Sequence, residues 1–309
     1  MDANLTGNTL KGKAGKRGNV AAEWAIALHG GADATPGRDY AHVEAHMRDL
    51  LGEASERLAG GAAGLDVAEY AVAALEACGH HIAGKGASPN QNGVWELDAA
   101  IMHGPTRDAG AVSALVGYLS PVAVARSVMG VMPVMLSGAG AAEFAALHQH
   151  KRVHTPEDYY EPSVKEKLPP NAAGHGTVGA VVRDREGRLA AATSTGGLLN
   201  KTPGRVGDSP IIGSGTWADE AVAVSCTGEG EYFMRVSAAA SVSARVKYGG
   251  EALADAAQGV IDEVTQLGGR GGLISVDADG NIATPYNSKG LKRAVADASG
   301  RFDVRIFEA

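Results

Sequence analysis

His175-Gly176-Thr177-Val178-Gly179-Ala180-Val181-Val182 is the stretch on which the reading of this chain turns. Val178 to Val182 is short, apolar and rich in β-branched residues, the pattern of a buried strand. A second strand, Leu189 to Thr195, follows a turn made of Asp184-Arg185-Glu186-Gly187. With Gly187 in the left-handed position of a three-residue hairpin loop, Asp184 pairs with Arg188. Counting back along both strands then sets Thr177 opposite Thr195, two threonines face to face at the open end of a hairpin. A slip of one residue would turn Thr195 to the other face.

A threonine hydroxyl is a poor nucleophile unless a base stands beside it. At a chain start the base is the residue's own α-amino group, with a pKa near ~8 rather than ~10. Thr177 lies mid-chain, so this chemistry first requires the Gly176–Thr177 bond to break. Gly176 suits that step, because without a Cβ it tolerates strained backbone angles and leaves its carbonyl open to the Thr177 hydroxyl. A lone Gly-Thr at a strand entry is ordinarily structural. The blocks that follow it change the balance.

Gly176-Thr177-Val178-Gly179-Ala180-Val181, Ala191-Ala192-Thr193-Ser194-Thr195-Gly196-Gly197, Lys201-Thr202-Pro203-Gly204-Arg205-Val206-Gly207-Asp208-Ser209-Pro210 and Ser225-Cys226-Thr227-Gly228-Glu229-Gly230 occur in that order. Together they resemble the plant-type asparaginases, also called isoaspartyl aminopeptidases, which are N-terminal-nucleophile hydrolases. The likeness runs from about Ile26 to Asn287. The neighbouring glycosylasparaginases share the Gly-Arg-Val-Gly-Asp-Ser-Pro block, but Gly176 and Gly196 point away from them.

The resemblance implies a set of roles. Thr177 is the nucleophile, freed by cleavage after Gly176. Thr195 holds its hydroxyl or amine. The Thr227 hydroxyl and the Gly228 N–H bind the oxyanion. Arg205 and Asp208 clamp the carboxylate and ammonium of an aspartyl group, with Gly230 lining the pocket. The residues alone leave another reading of Arg205 and Asp208 open, as a local ion pair bracing a loop. The implied fold is an αββα sandwich of two mostly antiparallel sheets covered by helices. One unit, residues 1–309, would become two pieces, 1–176 and 177–309, and pairs of these would associate. The substrate would be a β-aspartyl dipeptide or asparagine, with no organic cofactor. The rivals are a glycosylasparaginase-like amidase and a chain that never cuts itself and only binds.

Composition argues against a nucleic-acid binder. The 309 residues are 45% hydrophobic and 20% charged, with a net charge of −7, and no basic domain stands out. No apolar run reaches the ~20 residues of a membrane helix. Residues 1–20 carry Lys11, Lys13, Lys16 and Arg17 without the apolar core of a signal peptide, so a loose tail and a cytoplasmic protein are expected. Cys78 and Cys226 are far apart among apolar residues and read as structural rather than a disulfide.

Trp24 to His29 is predicted as a strand ending at Gly30-Gly31, with His29 a packing residue at the turn. Val43 to Leu58 has helical spacing, and Asp66 with Glu69 predicts a cap for a helix running to Cys78. The family's loop after this helix wraps a monovalent cation through backbone carbonyls, so the 75–86 loop is a candidate sodium site. Ile82 stands where the family has Asn. His80-His81 hints at zinc, but adjacent histidines rarely face one ion and no cysteine or carboxylate cluster supports them, so none is expected. Gly138-Ala139-Gly140 lacks the third glycine of a dinucleotide loop. Lys151 to Gly174 is polar and proline-bearing, an exposed linker ahead of the cut. Glu231 to Tyr248 is predicted as one helix.

Overall fold

The computed structural model describes residues 24–32, 34–162 and 176–308. Among them run twelve strands: β1 (Ala25–Ala32), β2 (Leu97–His103), β3 (Ala109–Leu115), β4 (Met135–Ser137), β5 (Val178–Arg183), β6 (Leu189–Thr195), β7 (Thr216–Ala218), β8 (Val222–Gly228), β9 (Gly271–Asp277), β10 (Ile282–Ala283), β11 (Leu291–Asp297) and β12 (Phe302–Arg305). The helices are α1 (Ala41–Ala59), α2 (Gly64–Ala77), α3 (Pro121–Val128), α4 (Gly138–Leu147), α5 (Pro156–Tyr159), α6 (Gly230–Arg235), α7 (Ala238–Gly249) and α8 (Leu253–Gln266).

The strands form two sheets, of order β12-β11-β1-β5-β6-β2-β3-β4 and β10-β9-β8-β7. Every pair is antiparallel except β3 with β4. β5 and β6 pair Val178 with Ser194 and Arg183 with Leu189, the register expected from the turn. The turn explains why. Gly187 takes φ 79° and its amide donates to the Asp184 carbonyl at 2.9 Å. The buried Asp184 carboxylate also accepts from the amides of Glu186, Arg188 and Gly64, tying the turn to the start of α2.

Strand side chains alternate, so each face collects one parity. Ile26, Leu28, Val178, Ala180, Val182, Ala190 and Ala192 join α1, α2 and α3 residues in the largest apolar cluster. Ala25, Ala27, Val181, Leu189 and Ala191 instead pack with Ala223, Ile274 and Val276 of the smaller sheet. Both faces of the central strands are thus covered, which is why they read as continuous apolar runs. On the smaller sheet Val222, Val224 and Cys226 turn to α7 and α8. Odd-numbered positions of β1, β5, β6 and β8 therefore share the space where the sheets meet, as does Thr177 just before β5, and the buried polar ones are His29, Thr177, Thr193, Thr195, Ser225 and Thr227.

Several expectations need correction. Asp66 and Glu69 make no cap for α2, whose first residue follows Ala63 without a side-chain cap; they meet Arg126 instead. The Glu231–Tyr248 helix is two, α6 and α7, broken where Ser237 takes φ 48°. The 151–174 linker is partly docked: it carries α5, and Tyr160 stacks on Trp95 at 4.8 Å between ring centres. Its remainder from residue 163, His175 and the 1–20 tail lie outside the described residues. β11 was not expected, because Lys292 and Arg293 interrupt its apolar run; both are nonetheless buried. Among the described residues no helix is long and apolar enough to cross a membrane.

Candidate active site

Thr177 stands one residue before β5, buried between the sheets. Its hydroxyl donates to the Thr195 hydroxyl oxygen at 3.1 Å, and that oxygen also accepts from the Gly197 amide at 3.0 Å. The face-to-face threonines expected from the hairpin register are therefore in hydrogen-bond contact. With its oxygen accepting from both sides, Thr195 fixes the rotamer of Thr177.

His29 is not the packing residue expected. Its Nδ1 lies 3.0 Å from the Thr177 carbonyl oxygen and its Nε2 lies 2.8 Å from the Ser225 hydroxyl. Burial pushes its pKa down to about 3, so the ring is neutral. A neutral ring with a carbonyl at Nδ1 must carry its proton there, which makes Nε2 an acceptor. Ser225 then donates to Nε2, and the Thr193 hydroxyl, 2.7 Å away, donates to Ser225. This relay anchors the backbone carbonyl of Thr177 from the far side of the sheets. It passes directly over Gly179, where a Cβ would lie 2.0 Å from the Ser225 hydroxyl oxygen and 2.3 Å from His29 Nε2.

Gly176 is held as closely. A Cβ there would sit 2.6 Å from the Cβ, Cγ1 and backbone nitrogen of Ile82. Ile82 in turn accepts from the Gly196 amide through its carbonyl, at 2.8 Å. The 75–86 loop thus forms a wall of the site, and Ile82 is its apolar face.

The Thr227 hydroxyl accepts from the Ala32 amide at 3.2 Å, which leaves its proton free to donate elsewhere. Gly228 adopts φ 150°, with Arg270 O and Gly271 Cα so close that a Cβ would meet them at 2.5 and 2.6 Å. The Arg205 guanidinium forks onto the Glu231 carboxylate at 2.9 and 3.0 Å. Asp208 is buried, and its Oδ2 has no partner among the described residues. Burial raises its pKa to about 7, against the opposing pull of Arg205. Gly230 backs directly onto it: a Cβ at Gly230 would lie 2.7 Å from Asp208 Oδ1. Side by side, a buried carboxylate with one oxygen unsatisfied can take an ammonium and an arginine fork can donate to a carboxylate.

Lys201 opens the block that carries Arg205 and Asp208. It is fully buried, donates to the Glu96 carbonyl at 2.8 Å, and feels the carboxylates of Asp98 and Glu96. Its Nζ would lie 2.9 Å from a Cβ on Gly197, whose amide holds Thr195. The site therefore includes a buried cation that no spacing rule singles out.

A strand-leading threonine between two sheets, its hydroxyl and its carbonyl both held by partners from other strands, defines the class of N-terminal-nucleophile hydrolases. The comparisons narrow this. The family model described as Asparaginase matches residues 22–168 and 148–306. An isoaspartyl peptidase of Salmonella typhimurium is 44% identical over 87% of this chain and 94% of its own length. That of Escherichia coli is 42% identical over 87% and 91%. A probable isoaspartyl peptidase/L-asparaginase 2 of Arabidopsis thaliana is 35% identical over 92% and 99%. The chain belongs to the asparaginase family of hydrolases.

Proposed function

We propose that this protein is a self-cleaving threonine hydrolase of β-aspartyl (isoaspartyl) dipeptides that also hydrolyses L-asparagine, releasing aspartate. The observation that carries the reading is the 3.1 Å Thr177–Thr195 hydroxyl pair at the open end of the hairpin, behind a residue 176 with no room for a side chain. The relatives named isoaspartyl peptidase support the substrate class.

In this reading Thr177 Oγ first attacks the Gly176 carbonyl carbon, and its proton passes to the departing amide nitrogen. Water hydrolyses the resulting ester, giving Gly176 a carboxylate and Thr177 a free amine. The chain of residues 1–309 thereby becomes 1–176 and 177–309. In turnover the new amine takes the proton from Thr177 Oγ, which attacks the side-chain carbonyl of the substrate. The Thr227 hydroxyl and Gly228 N–H receive the oxyanion, a contribution of order ~3 kcal/mol per donor. The proton passes to the leaving amine, and water then releases aspartate. Asp208 takes the substrate ammonium beside Gly230. Arg205 exchanges the Glu231 carboxylate for that of the substrate. Thr195 and His29 keep the nucleophile's hydroxyl and carbonyl in place. No step calls for an organic cofactor.

The same reading orders the sheets and helices as four layers, αββα. It places sodium in the 75–86 loop, where the His81 and Gly79 carbonyl oxygens would lie 2.1 and 2.8 Å from a Cβ on Gly86. Paired αβ units fit the exposed apolar side chains Val116, Val131, Met132, Val134 and Leu147 around β4 and α4.

Intact mass and N-terminal sequencing test the cut. The new terminus is expected to read Thr-Val-Gly-Ala-Val, and Thr177→Ala should remain one chain without turnover. A Thr177→Ala protein still cut at this bond would overturn the mechanism. A panel of β-aspartyl dipeptides, asparagine and sugar-linked asparagine separates this reading from a glycosylasparaginase-like amidase.

A further inference from the structure

At the far side of the 75–86 loop a second group of side chains converges. His46 on α1, Cys78 at the end of α2 and His81 each offer one donor atom, all within 4.8 Å of one another. His42 and His80 stand at the rim, with ring centres 4.9 Å apart. We propose that His46, Cys78 and His81 form a binding site for a soft divalent transition-metal ion of the zinc class, with the fourth position taken by water at the half-exposed rim.

The donors are set up for this. His81 is buried and its Nδ1 lies 2.9 Å from the Gly30 carbonyl. A carbonyl only accepts, so Nδ1 carries the proton and Nε2 presents its lone pair. That Nε2 is buried and has no partner among the described residues, and the same holds for His46 Nδ1. Leaving one buried polar atom unmade costs about 1–3 kcal/mol. Here two residues that each carry such a nitrogen stand with a thiol in one cluster. A ring nitrogen held by a backbone carbonyl, with the opposite nitrogen free, is the usual support of a metal-bound histidine. The Cys78 thiol donates to the Leu75 carbonyl at 3.3 Å, and its sulfur accepts from the His80 amide at 3.5 Å.

A tetrahedral ion with N and S ligands at about 2.0–2.3 Å needs donor atoms roughly 3.3–3.7 Å apart. A 4.8 Å separation thus has to shrink by about 1.1–1.5 Å. His46 and Cys78, both only half-buried, have the freedom to do it. The charges around the cluster are mixed: Lys292 opposes a cation near His81, while Asp49 and Glu53 favour one near His46. On binding, the Cys78 S–H bond breaks, its proton leaves to solvent, and the sulfur pair forms the bond to the metal. Two neutral imidazoles and one thiolate reduce the ion's +2 to +1.

This revises the reading of His80-His81 as a pair. Only His81 is buried against the cluster, and its partners come from α1 and from Cys78. The site differs from the sodium position in using side chains instead of carbonyls. It also touches the active site through the backbone, since His81 precedes Ile82, and Gly30 follows His29.

The test uses tag-free, full-chain protein stripped with a chelator under a non-thiol reductant. Cobalt(II) is titrated first and zinc second. Expected are one cobalt per chain with a thiolate-to-cobalt charge-transfer band, and loss of that band on adding one equivalent of zinc. Cys78→Ser should abolish the band, and Cys78→Ser and His46→Gln should each weaken zinc binding at least tenfold. No band in the natural protein, a band that persists in Cys78→Ser, or unchanged zinc affinity in both variants overturns the site. Should a variant fail to fold, the natural protein still decides. One equivalent of zinc should slow alkylation of Cys78 at least tenfold, and an unchanged rate rejects the proposal.

Discussion

Gly176→Ala is the most direct probe of how the site handles its own chain. The added Cβ would stand 2.6 Å from Ile82 Cβ, Cγ1 and N, where an ordinary contact begins at 3.4 Å. Residue 176 or the loop must therefore move by about 0.8 Å, the difference between those two distances. The loop resists. Ile82 O and Lys85 O each accept an amide at 2.8 Å, and Gly84 and Gly86 are packed against Glu76 and His81. Overpacking of this kind costs roughly 1–3 kcal/mol. The kinetic effect is larger, because attack requires the Thr177 hydroxyl and the carbonyl at near-attack distance, and a misplacement near 1 Å costs on the order of 10²-fold. Chain splitting, followed by intact mass after rapid purification, should slow by about that factor, or ~3 kcal/mol of barrier. Adding Ile82→Ala removes the Cγ1 contact but leaves Cβ and N, so recovery should be partial. Splitting of Gly176→Ala at the natural rate, with an unmoved melting temperature, would refute the close packing at the cut.

Arg205→Ala should leave self-cleavage intact while lowering kcat/KM, since cutting needs no carboxylate clamp; loss of a desolvated charge contact can cost ~2–5 kcal/mol. Normal cutting with unchanged kcat/KM would make Arg205 a brace for Glu231 only. Asp208, with its pKa raised from 3.8 to about 7, must be ionised to hold an ammonium. Competitive inhibition by aspartate should thus weaken about tenfold per pH unit below 7 and level off above it, and Asp208→Asn should abolish that limb. The linked stability has the opposite sense. The folded state binds the extra proton between about 4 and about 7, so stability falls as pH rises through that window, and Asp208→Asn should flatten the slope in thermal melts. Ile82 gives apolar surface where the family has an amide, so β-aspartyl dipeptides should exceed asparagine by more than tenfold in kcat/KM, ~1.4 kcal/mol of differential binding. Equal rates would reject the preference, and an unchanged ratio in Ile82→Asn would remove Ile82 as its cause.

The sequence by itself determined the hairpin and its register, because Gly187 in a three-residue turn sets Asp184 opposite Arg188 and the remaining pairs follow by counting. It also determined that Thr177 faces Thr195, since that follows from the register by counting. Local signals failed where partners were distant. β11 was hidden because Lys292 and Arg293 break its apolar run, and contacts with Gly30, Tyr40, Tyr286, Leu291 and Glu308 make their burial tolerable. His29 looked like turn packing because nothing near it in sequence announces Thr177 and Ser225, which lie 148 and 196 residues away. Arg205 and Asp208 were legible as a charged pair in one loop, but the Glu231 partner and the buried, unsatisfied Asp208 oxygen depend on where α6 lands. The His46, Cys78 and His81 cluster exists only because α1 packs back on the end of α2. Spacing along a chain fixes which side chains share a strand face; which faces meet, and which polar atoms are then left without water, is decided by the packing of the two sheets and their helices.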